Sequence, residues 1–146
     1  MKKNSDLICT KSLYLHPETL NAFASKIVDM ISDDIDTVIV SSVGGVPLAS
    51  VLSYCFFKKG KSVRFIFLGN NSVEFYKWYL QGSKKAIIVD DLVSAGSLLA
   101  VIYHAILKPN GTDLAGIVCI AKTGFPERGQ YIRENEQGIP LYCSFD

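Results

Sequence analysis

The chain has 146 residues, of which 49% are hydrophobic and 20% are charged. This length supports one hydrophobic core and is too short for two comfortable domains, so we expect a single domain over residues 1–146. Fifteen Lys and Arg residues and fourteen Asp and Glu residues give a net charge of +1. So small a charge excludes a global field that would draw the chain onto nucleic acid or an anionic membrane, and any anion site must be local.

We expect neither a membrane span nor a disulfide framework. The longest apolar stretches, around residues 37–57 and 86–107, are interrupted by Gly, Pro, Asp or Lys, and the N-terminus lacks a signal-peptide core. The expectation is therefore a soluble, cytoplasmic protein. The cysteines lie far apart, form no C-x-x-C pair and have no histidine cluster beside them, which favours buried, reduced thiols. They are Cys9, Cys55, Cys119 and Cys143.

Helical and strand patterns alternate along the chain. An amphipathic helix is predicted over residues 17–32, because apolar residues recur there at three- and four-residue spacing behind Pro17. There follow a strand over 37–42, a helix over 46–59, strands over 62–69 and 84–91, a helix over 97–108 and a strand over 114–122. Since each strand is a nearly continuous apolar run, the predicted fold class is α/β with a parallel sheet covered on both faces.

Two terminal segments, residues 7–16 and 129–146, fit neither pattern. We expect them to form a small cap or an added edge strand. In open α/β sheets ligands bind beyond the carboxyl ends of the strands, so the loops that follow the strands are the candidate functional segments.

The loop after the first strand reads "SSVGGVP", residues 41–47. Gly44 and Gly45 would let backbone N–H groups approach an anion, and the N-terminus of the following helix would favour its negative charge. A tight strand-to-helix turn explains the same glycines without a ligand, and both interpretations stay open.

The loop after the third strand lies within "IIVDDLVSAGSLL", residues 87–99. Small hydroxyl residues and a glycine ahead of a helix could hold a phosphate dianion. Asp90 and Asp91 would repel that phosphate but suit the hydroxyls of an attached sugar, or a magnesium ion that holds a second phosphate. The alternative is that the aspartates stabilise turns and Ser97 caps the helix, which explains one aspartate better than two.

The segment "AIIVDDLVSAGSL" resembles the phosphoribosyl-pyrophosphate motif of type I phosphoribosyltransferases. "DTVIVSSVGGVPLASVLSYCF" is similar to the segment that holds the pyrophosphate-binding loop in orotate phosphoribosyltransferases, and "KSLYLHPETL" and "GIPLYCSF" are similar to their terminal segments. The resemblance covers nearly the whole chain. It implies a Rossmann-like phosphoribosyltransferase domain with a small N/C-terminal cap, and transfer of a phosphoribosyl group to a nitrogenous base, with an orotate-like acceptor the most similar.

The resemblance also implies roles for individual residues. Phosphoribosyl pyrophosphate and a base or nucleotide are the implied partners, Mg²⁺ is the implied cofactor, and a homodimer is the implied assembly. Asp90 and Asp91 would hold the ribose hydroxyls and take part in catalysis and metal binding, with Lys77 as the catalytic cation. The 5′-phosphate would be bound by Ser94, Ala95, Gly96 and Ser97. The pyrophosphate would be bound by Val43, Gly44 and Gly45, and the base by Lys122.

Several basic residues of the orotate enzymes are missing. The loop over residues 41–47 has no lysine, and Lys77 is the only cation in residues 65–83, where the family has an Arg-Lys pair and a mobile loop with a lysine and a histidine. A leaving pyrophosphate needs neutralisation, so the loss of even two such contacts could cost several orders of magnitude in rate. Two hypotheses therefore remain: a phosphoribosyltransferase, or a catalytically impaired binding or regulatory protein of the same fold. A dinucleotide-binding module is disfavoured, because no G-x-G-x-x-G follows the first strand.

Four aromatic residues lie within residues 72–80. They predict either a lid on which a base stacks or, more in keeping with how large apolar side chains are used, a short helix that packs on the core or on a second subunit. Arg64, which lies within a predicted strand, is expected to form an ion pair at the strand edge.

Overall fold

The computed structural model describes residues 14–69, 73–93, 97–122 and 139–145. Five strands form one parallel sheet in the order β2-β1-β3-β4-β5. The strands are β1 (Thr37–Val40), β2 (Arg64–Phe67), β3 (Lys85–Val93), β4 (Asp113–Lys122) and β5 (Leu141–Phe145). Among the helices, α1 spans Pro17–Met30, α2 spans Val46–Lys58 and α3 spans Val73–Tyr79. The next helix, α4, begins over Ser97–Val101, continues in π-helical geometry over Ile102–Leu107 and closes over Lys108–Asn110. The α/β fold class predicted from the sequence is confirmed.

Two apolar layers cover the sheet. Successive side chains of a strand point to opposite faces, and β1 shows this directly: Val38 and Val40 pack with α1 and α2, whereas Ile39 packs with α3 and α4. All four residues of β1 are buried. Burial on both faces explains why these strands read as continuous apolar runs rather than as alternating patterns.

Several element boundaries differ from the sequence prediction. β1 ends at Val40, two residues before its predicted end, and β3 continues to Val93, two residues past the predicted end at Asp91. Helix α4 continues past Pro109, which was expected to end it, as far as Asn110. Pro109 lies in the first turn of the closing segment Lys108–Asn110, where the missing N–H of proline is tolerated. Gly111, with a φ of 73°, then ends the helix in the left-handed region that favours glycine.

The C-terminal segment confirms one of the two alternatives for it. Residues 141–145 add an edge strand to the sheet, with Ile117 of β4 opposite Leu141 of β5. Residues 7–13 and 129–138 of the two terminal segments lie outside the described residues.

The aromatic segment forms the predicted short helix. Tyr76 is buried in the core, and its hydroxyl donates to the carbonyl of Gly69 at 2.7 Å. Phe75, Trp78 and Tyr79 are exposed, so packing on the core accounts for only one of the four aromatic residues.

The expectation of an ion pair for Arg64 is wrong within the part of the chain that is described. Its guanidinium donates to the carbonyls of Tyr79 and Gln81, each at 3.0 Å. These carbonyls lie at and just after the end of α3, where a cation is favoured by the partial negative charge of the helix terminus. Arg64 therefore joins β2 to the end of α3.

Cys55, Cys119 and Cys143 are thiols and not disulfides, and the first two are buried, as expected. Cys9 lies outside the described residues. In the described ranges, no helix has both the length and the apolar character needed to cross a membrane.

Candidate functional site

The carboxyl ends of β1 and β3 lie side by side at the centre of the sheet. Val40 of β1 is opposite Val89 of β3. Beyond that pair, both the backbone N–H and the hydroxyl of Ser41 donate to the carbonyl of Val89, at 3.0 and 3.1 Å. This pairing brings the loop over residues 42–45, hereafter the β1 loop, against the two aspartates of β3.

Asp90 is held from two directions. Its Oδ1 accepts hydrogen bonds from the hydroxyl of Ser42 and from the backbone N–H of Asp91, the second at 2.8 Å. The side chain is buried, with 7% exposed. Burial raises the pKa of the Asp90 carboxyl above its ordinary value, while hydrogen bonds from Ser42 and Ser41 oppose that rise. Asp90 is therefore a desolvated carboxylate that is fixed in place before any ligand arrives.

Asp91 packs directly on the β1 loop. A Cβ placed on Gly44 would overlap the Asp91 carboxylate, and a Cβ on Gly45 would lie 3.0 Å from both the Cα of Asp90 and the carbonyl oxygen of Val89. Both glycines are thus required by close approach, because any larger residue must displace the carboxylate or the backbone of β3. The structure thus brings together two of the predicted site segments, the glycines of the β1 loop and the aspartates of β3.

The β1 loop itself is a single 3₁₀ turn over Val43–Gly45. Ser42 caps it, since its hydroxyl oxygen accepts a hydrogen bond from the N–H of Gly45 at 3.3 Å. The side chain of Val43 is 75% exposed. The turn therefore presents its start to solvent and its end to the two aspartates.

Tyr14 completes the described part of the site. Its hydroxyl donates to the carbonyl of Gly44 at 2.5 Å. Burial, and after it the negative charges of Asp91 and Asp90, raises the pKa of Tyr14 to about 12, so the phenol is protonated at neutral pH. The tyrosine comes from the turn that precedes α1 and reaches both the β1 loop and the field of the aspartates.

Sequence reasoning assigned no role to Tyr14, Ser41 or Ser42. The two serines had a detectable signal, because hydroxyl residues directly before a glycine turn are common caps. Tyr14 had none, since nothing local in the sequence relates it to a residue 30 positions later.

The remaining predicted site residues are only partly described. Ser94, Ala95 and Gly96 lie outside the described residues; Ser97 begins α4, and Lys122 ends β4 opposite Val93, but the side chains of both lie outside the description. Lys77 is exposed on α3 and forms no recorded hydrogen bond or ion pair with another described residue. The structure therefore places the aspartates and the β1 loop together and leaves the phosphate and base contacts as predictions.

Several of the lysines are engaged away from this site. Lys85 begins β3, so it lies at the amino end of the strand whose carboxyl end holds Asp90. Its ammonium pairs with Asp34 at 2.9 Å. Lys59 and Lys61, in the turn after α2, pair with Asp29 and Asp33. All three pairs lie on the surface of the protein. They leave the described part of the β1 loop without a cation.

The carboxylates of the site decide how a Mg²⁺ ion could be held. No group of three or more His, Cys, Asp or Glu side chains that could hold a metal ion occurs among the described residues. Asp90 and Asp91 offer carboxylate oxygens, and Mg²⁺ is commonly bound by one or two carboxylates together with substrate phosphates. The residues present fit an ion that arrives with a phosphorylated ligand, rather than one held in a cage made by the protein alone.

The fold and the site define a class: a parallel-sheet α/β protein with paired carboxylates at the carboxyl edge, against a glycine loop. No family model matches the chain. In sequence, the chain is 28% identical over 139 residues to a hypoxanthine/guanine phosphoribosyltransferase from Methanococcus maripaludis, covering 87% of the chain and 73% of the relative. A hypoxanthine/guanine phosphoribosyltransferase from a Methanocaldococcus species is 26% identical over 140 residues, covering 87% and 69%.

Solved structures show the same fold. Adenine phosphoribosyltransferase from Leishmania donovani has a TM-score of 0.70 at 14% identity, covering 94% of the chain and 68% of that structure. Orotate phosphoribosyltransferase from Aeropyrum pernix has a TM-score of 0.60 at 16% identity, covering 88% and 69%. These comparisons support the type I phosphoribosyltransferase superfamily and, because the relatives are transferases, the expectation of an enzyme. The finer resemblance to orotate enzymes is not confirmed, since the sequence relatives are named hypoxanthine/guanine phosphoribosyltransferases.

Proposed function

We propose that this protein is a phosphoribosyltransferase that transfers the phosphoribosyl group of phosphoribosyl pyrophosphate to a nitrogen of a purine base. The observation that carries the proposal is the close approach of the Asp91 carboxylate to Gly44, where a Cβ would overlap it; this approach joins the two candidate ligand segments in one site. The purine acceptor rests on the sequence relatives, which are named for hypoxanthine and guanine.

The proposed arrangement divides the ligand between the two loops. Asp90 and Asp91 hold the ribose hydroxyls, which suit carboxylate acceptors. The segment from Ser94 to Ser97 holds the 5′-phosphate, and the β1 loop, through Val43, Gly44 and Gly45, faces the pyrophosphate. Lys122, at the end of the neighbouring strand, contacts the base, and Lys77 faces the leaving group.

In the proposed reaction, the base nitrogen forms a bond to the anomeric carbon while the bond from that carbon to the pyrophosphate oxygen breaks. The bonding electrons leave with the pyrophosphate, and the base loses a proton. Positive charge develops on the sugar ring in an oxocarbenium-like transition state, which fixed carboxylates such as Asp90 stabilise. When bound with the substrate, Mg²⁺ would neutralise part of the pyrophosphate charge, and Asp90 and Asp91 are the residues that would hold it.

A second function is favoured by a specific observation. The β1 loop has no lysine, and Lys59, Lys61 and Lys85 are paired with acidic residues elsewhere. A protein with this distribution of charge could bind the phosphosugar and release it unchanged. The alternative is therefore a binding or regulatory protein of the same fold that has lost turnover.

One assay tests the proposal and separates the two functions. Release of pyrophosphate is measured with phosphoribosyl pyrophosphate, Mg²⁺ and each of hypoxanthine, guanine, adenine and orotate. The proposal expects release with hypoxanthine or guanine and none with orotate. Release with orotate alone would contradict the purine acceptor, and tight binding of phosphoribosyl pyrophosphate without release would favour the binding protein.

Calorimetric titration then tests the site. The double variant Asp90→Asn, Asp91→Asn is expected to lose binding of phosphoribosyl pyrophosphate, whereas Asp113→Asn, at the opposite end of the sheet, is expected to keep it. If the double variant binds as well as the natural chain, the aspartates are not the sugar site. A homodimer remains a prediction from the resemblance, and light scattering that finds a monomer at micromolar concentration would contradict it.

A further inference from the structure

We infer that Tyr14 is a positioning residue of the proposed site: its hydroxyl fixes the peptide between Gly44 and Gly45 in the orientation that receives the pyrophosphate group. The inference rests on the proposed function and deepens it. It adds a segment from before α1 to a site otherwise built from the ends of β1 and β3.

The position of the Tyr14 hydroxyl is set by apolar packing. The tyrosine ring packs against the buried core that α1 and α2 share with the sheet. From there the hydroxyl reaches the carbonyl of Gly44 at 2.5 Å. Because the ring is held by the core, the hydroxyl has a fixed position beside the β1 loop.

Both polar ends of one peptide are held. The carbonyl and the N–H of a trans peptide point in opposite directions. Tyr14 donates to the carbonyl of Gly44, and on the other side the N–H of Gly45 donates to the carbonyl and the hydroxyl oxygen of Ser42, at 3.2 and 3.3 Å. A glycine pair has more backbone freedom than any other pair of residues, so without these bonds the peptide could rotate.

The orientation matters because of charge. A carbonyl oxygen bears partial negative charge and repels a polyanion that approaches it, whereas backbone N–H groups attract one. The β1 loop has no lysine, and the Asp91 carboxylate lies against Gly44. In such a loop, a donor that engages the Gly44 carbonyl removes one of the repulsive groups that pyrophosphate would meet.

The test compares Tyr14→Phe with Tyr54→Phe. Phenylalanine keeps the ring in the core and removes only the hydroxyl. Tyr54 is an exposed tyrosine on α2 whose ring lies 5.6 Å from the ammonium of Lys58, and it serves as the matched control. Calorimetry measures the affinity for Mg-pyrophosphate and, separately, for ribose 5-phosphate, and hydrogen exchange measures the protection of the Gly45 N–H.

For Tyr14→Phe we expect roughly fivefold weaker binding of Mg-pyrophosphate, the equivalent of about 1 kcal/mol for one hydrogen bond. Exchange of the Gly45 N–H should be faster, and the affinity for ribose 5-phosphate unchanged. Tyr54→Phe should match the natural chain in all three measurements.

Three results would overturn the inference. If Tyr14→Phe and Tyr54→Phe bind Mg-pyrophosphate equally well, the hydroxyl does not position the loop, while the proposed function stands. If Tyr14→Phe loses affinity for ribose 5-phosphate as much as for Mg-pyrophosphate, Tyr14 only supports the fold. If the natural chain binds neither ligand, the proposed function itself fails, and the inference fails with it.

Discussion

The carboxylate of Asp91 occupies the space that a side chain on Gly44 would need. This contact fixes the distance between the β1 loop and the end of β3 and excludes every residue but glycine at position 44, unless the carboxylate moves. Because the overlapped atoms belong to a side chain and not to the backbone, the carboxylate can rotate away from a Cβ at position 44 while β3 stays in place. A substitution at Gly44 should therefore affect ligand binding more than stability.

Gly44→Ala is expected to weaken binding of phosphoribosyl pyrophosphate by about tenfold or more, since its Cβ displaces one of the two carboxylates proposed to hold the sugar. Calorimetric titration measures the affinity, and thermal unfolding measures stability. Gly60→Ala is the control: its Cβ meets nothing within 4 Å, but its φ of 70° strains alanine by about 1 kcal/mol. The control should lower stability and keep affinity. If Gly44→Ala instead lowers stability and keeps affinity, the Asp91 carboxylate is not part of the sugar site.

Asp90→Asn is expected to raise the thermal stability of the ligand-free protein at pH 7. Burial raises the folded-state pKa of Asp90 above its value in the unfolded chain. A carboxyl with a raised pKa stabilises the fold in its protonated form. That stability is fully present below the unfolded-state pKa and is lost as pH rises through the folded-state pKa. Asparagine removes the charge, and its carbonyl oxygen can still accept from Ser42 and from the N–H of Asp91. The gain over the natural chain should shrink towards pH 3, as measured by melting curves in EDTA.

Asp34→Asn is the control with the opposite sign. Hydrogen bonds from Ser32 and then from Lys85 lower the pKa of the Asp34 carboxyl, so its contribution to stability is present above the unfolded-state pKa and is lost as pH falls. This variant should not be stabilised at pH 7. Equal effects of the two substitutions across the pH range would mean that burial does not control the Asp90 carboxyl.

The parts of the site that sequence could predict are those encoded locally. Asp90, Asp91 and the glycines of the β1 loop each lie at the carboxyl end of a recognisable apolar strand, and parallel strands bring such ends to one edge. Tyr14 and Ser42 escaped prediction because their partners, Gly44 and Asp90, lie 30 and 48 residues away. Arg64 was assigned the wrong partner for a related reason: its acceptors are backbone carbonyls, which leave no trace in a pattern of charged residues.

Arg64→Ala is expected to destabilise the protein by about 1 kcal/mol, since two exposed hydrogen bonds to the end of α3 are lost. Relative to the natural chain, Arg64→Ala should increase the rate of hydrogen exchange more in α3 than in α1. Arg64→Lys keeps the positive charge near the helix end but has no planar fork to reach both carbonyls, so it should recover only part of the loss. If both variants match the natural chain in denaturant unfolding, the bonds from Arg64 contribute nothing measurable to α3.

Lys77→Ala is expected to separate turnover from binding. Lys77 is the only cation between residues 65 and 83, and its side chain is exposed on α3 rather than tied to another described residue. If Lys77 neutralises the leaving pyrophosphate, its contact with that group is stronger in the transition state than in the bound substrate. Its removal should then lower kcat on the order of 100-fold and change the affinity for phosphoribosyl pyrophosphate little. Lys26→Ala, on the exposed face of α1, should leave both unchanged. A kcat for Lys77→Ala within twofold of the natural value would remove Lys77 from the proposed catalytic set. It would not remove the proposed function, because that function assigns the sugar to the carboxylates and the pyrophosphate to the β1 loop, neither of which belongs to α3.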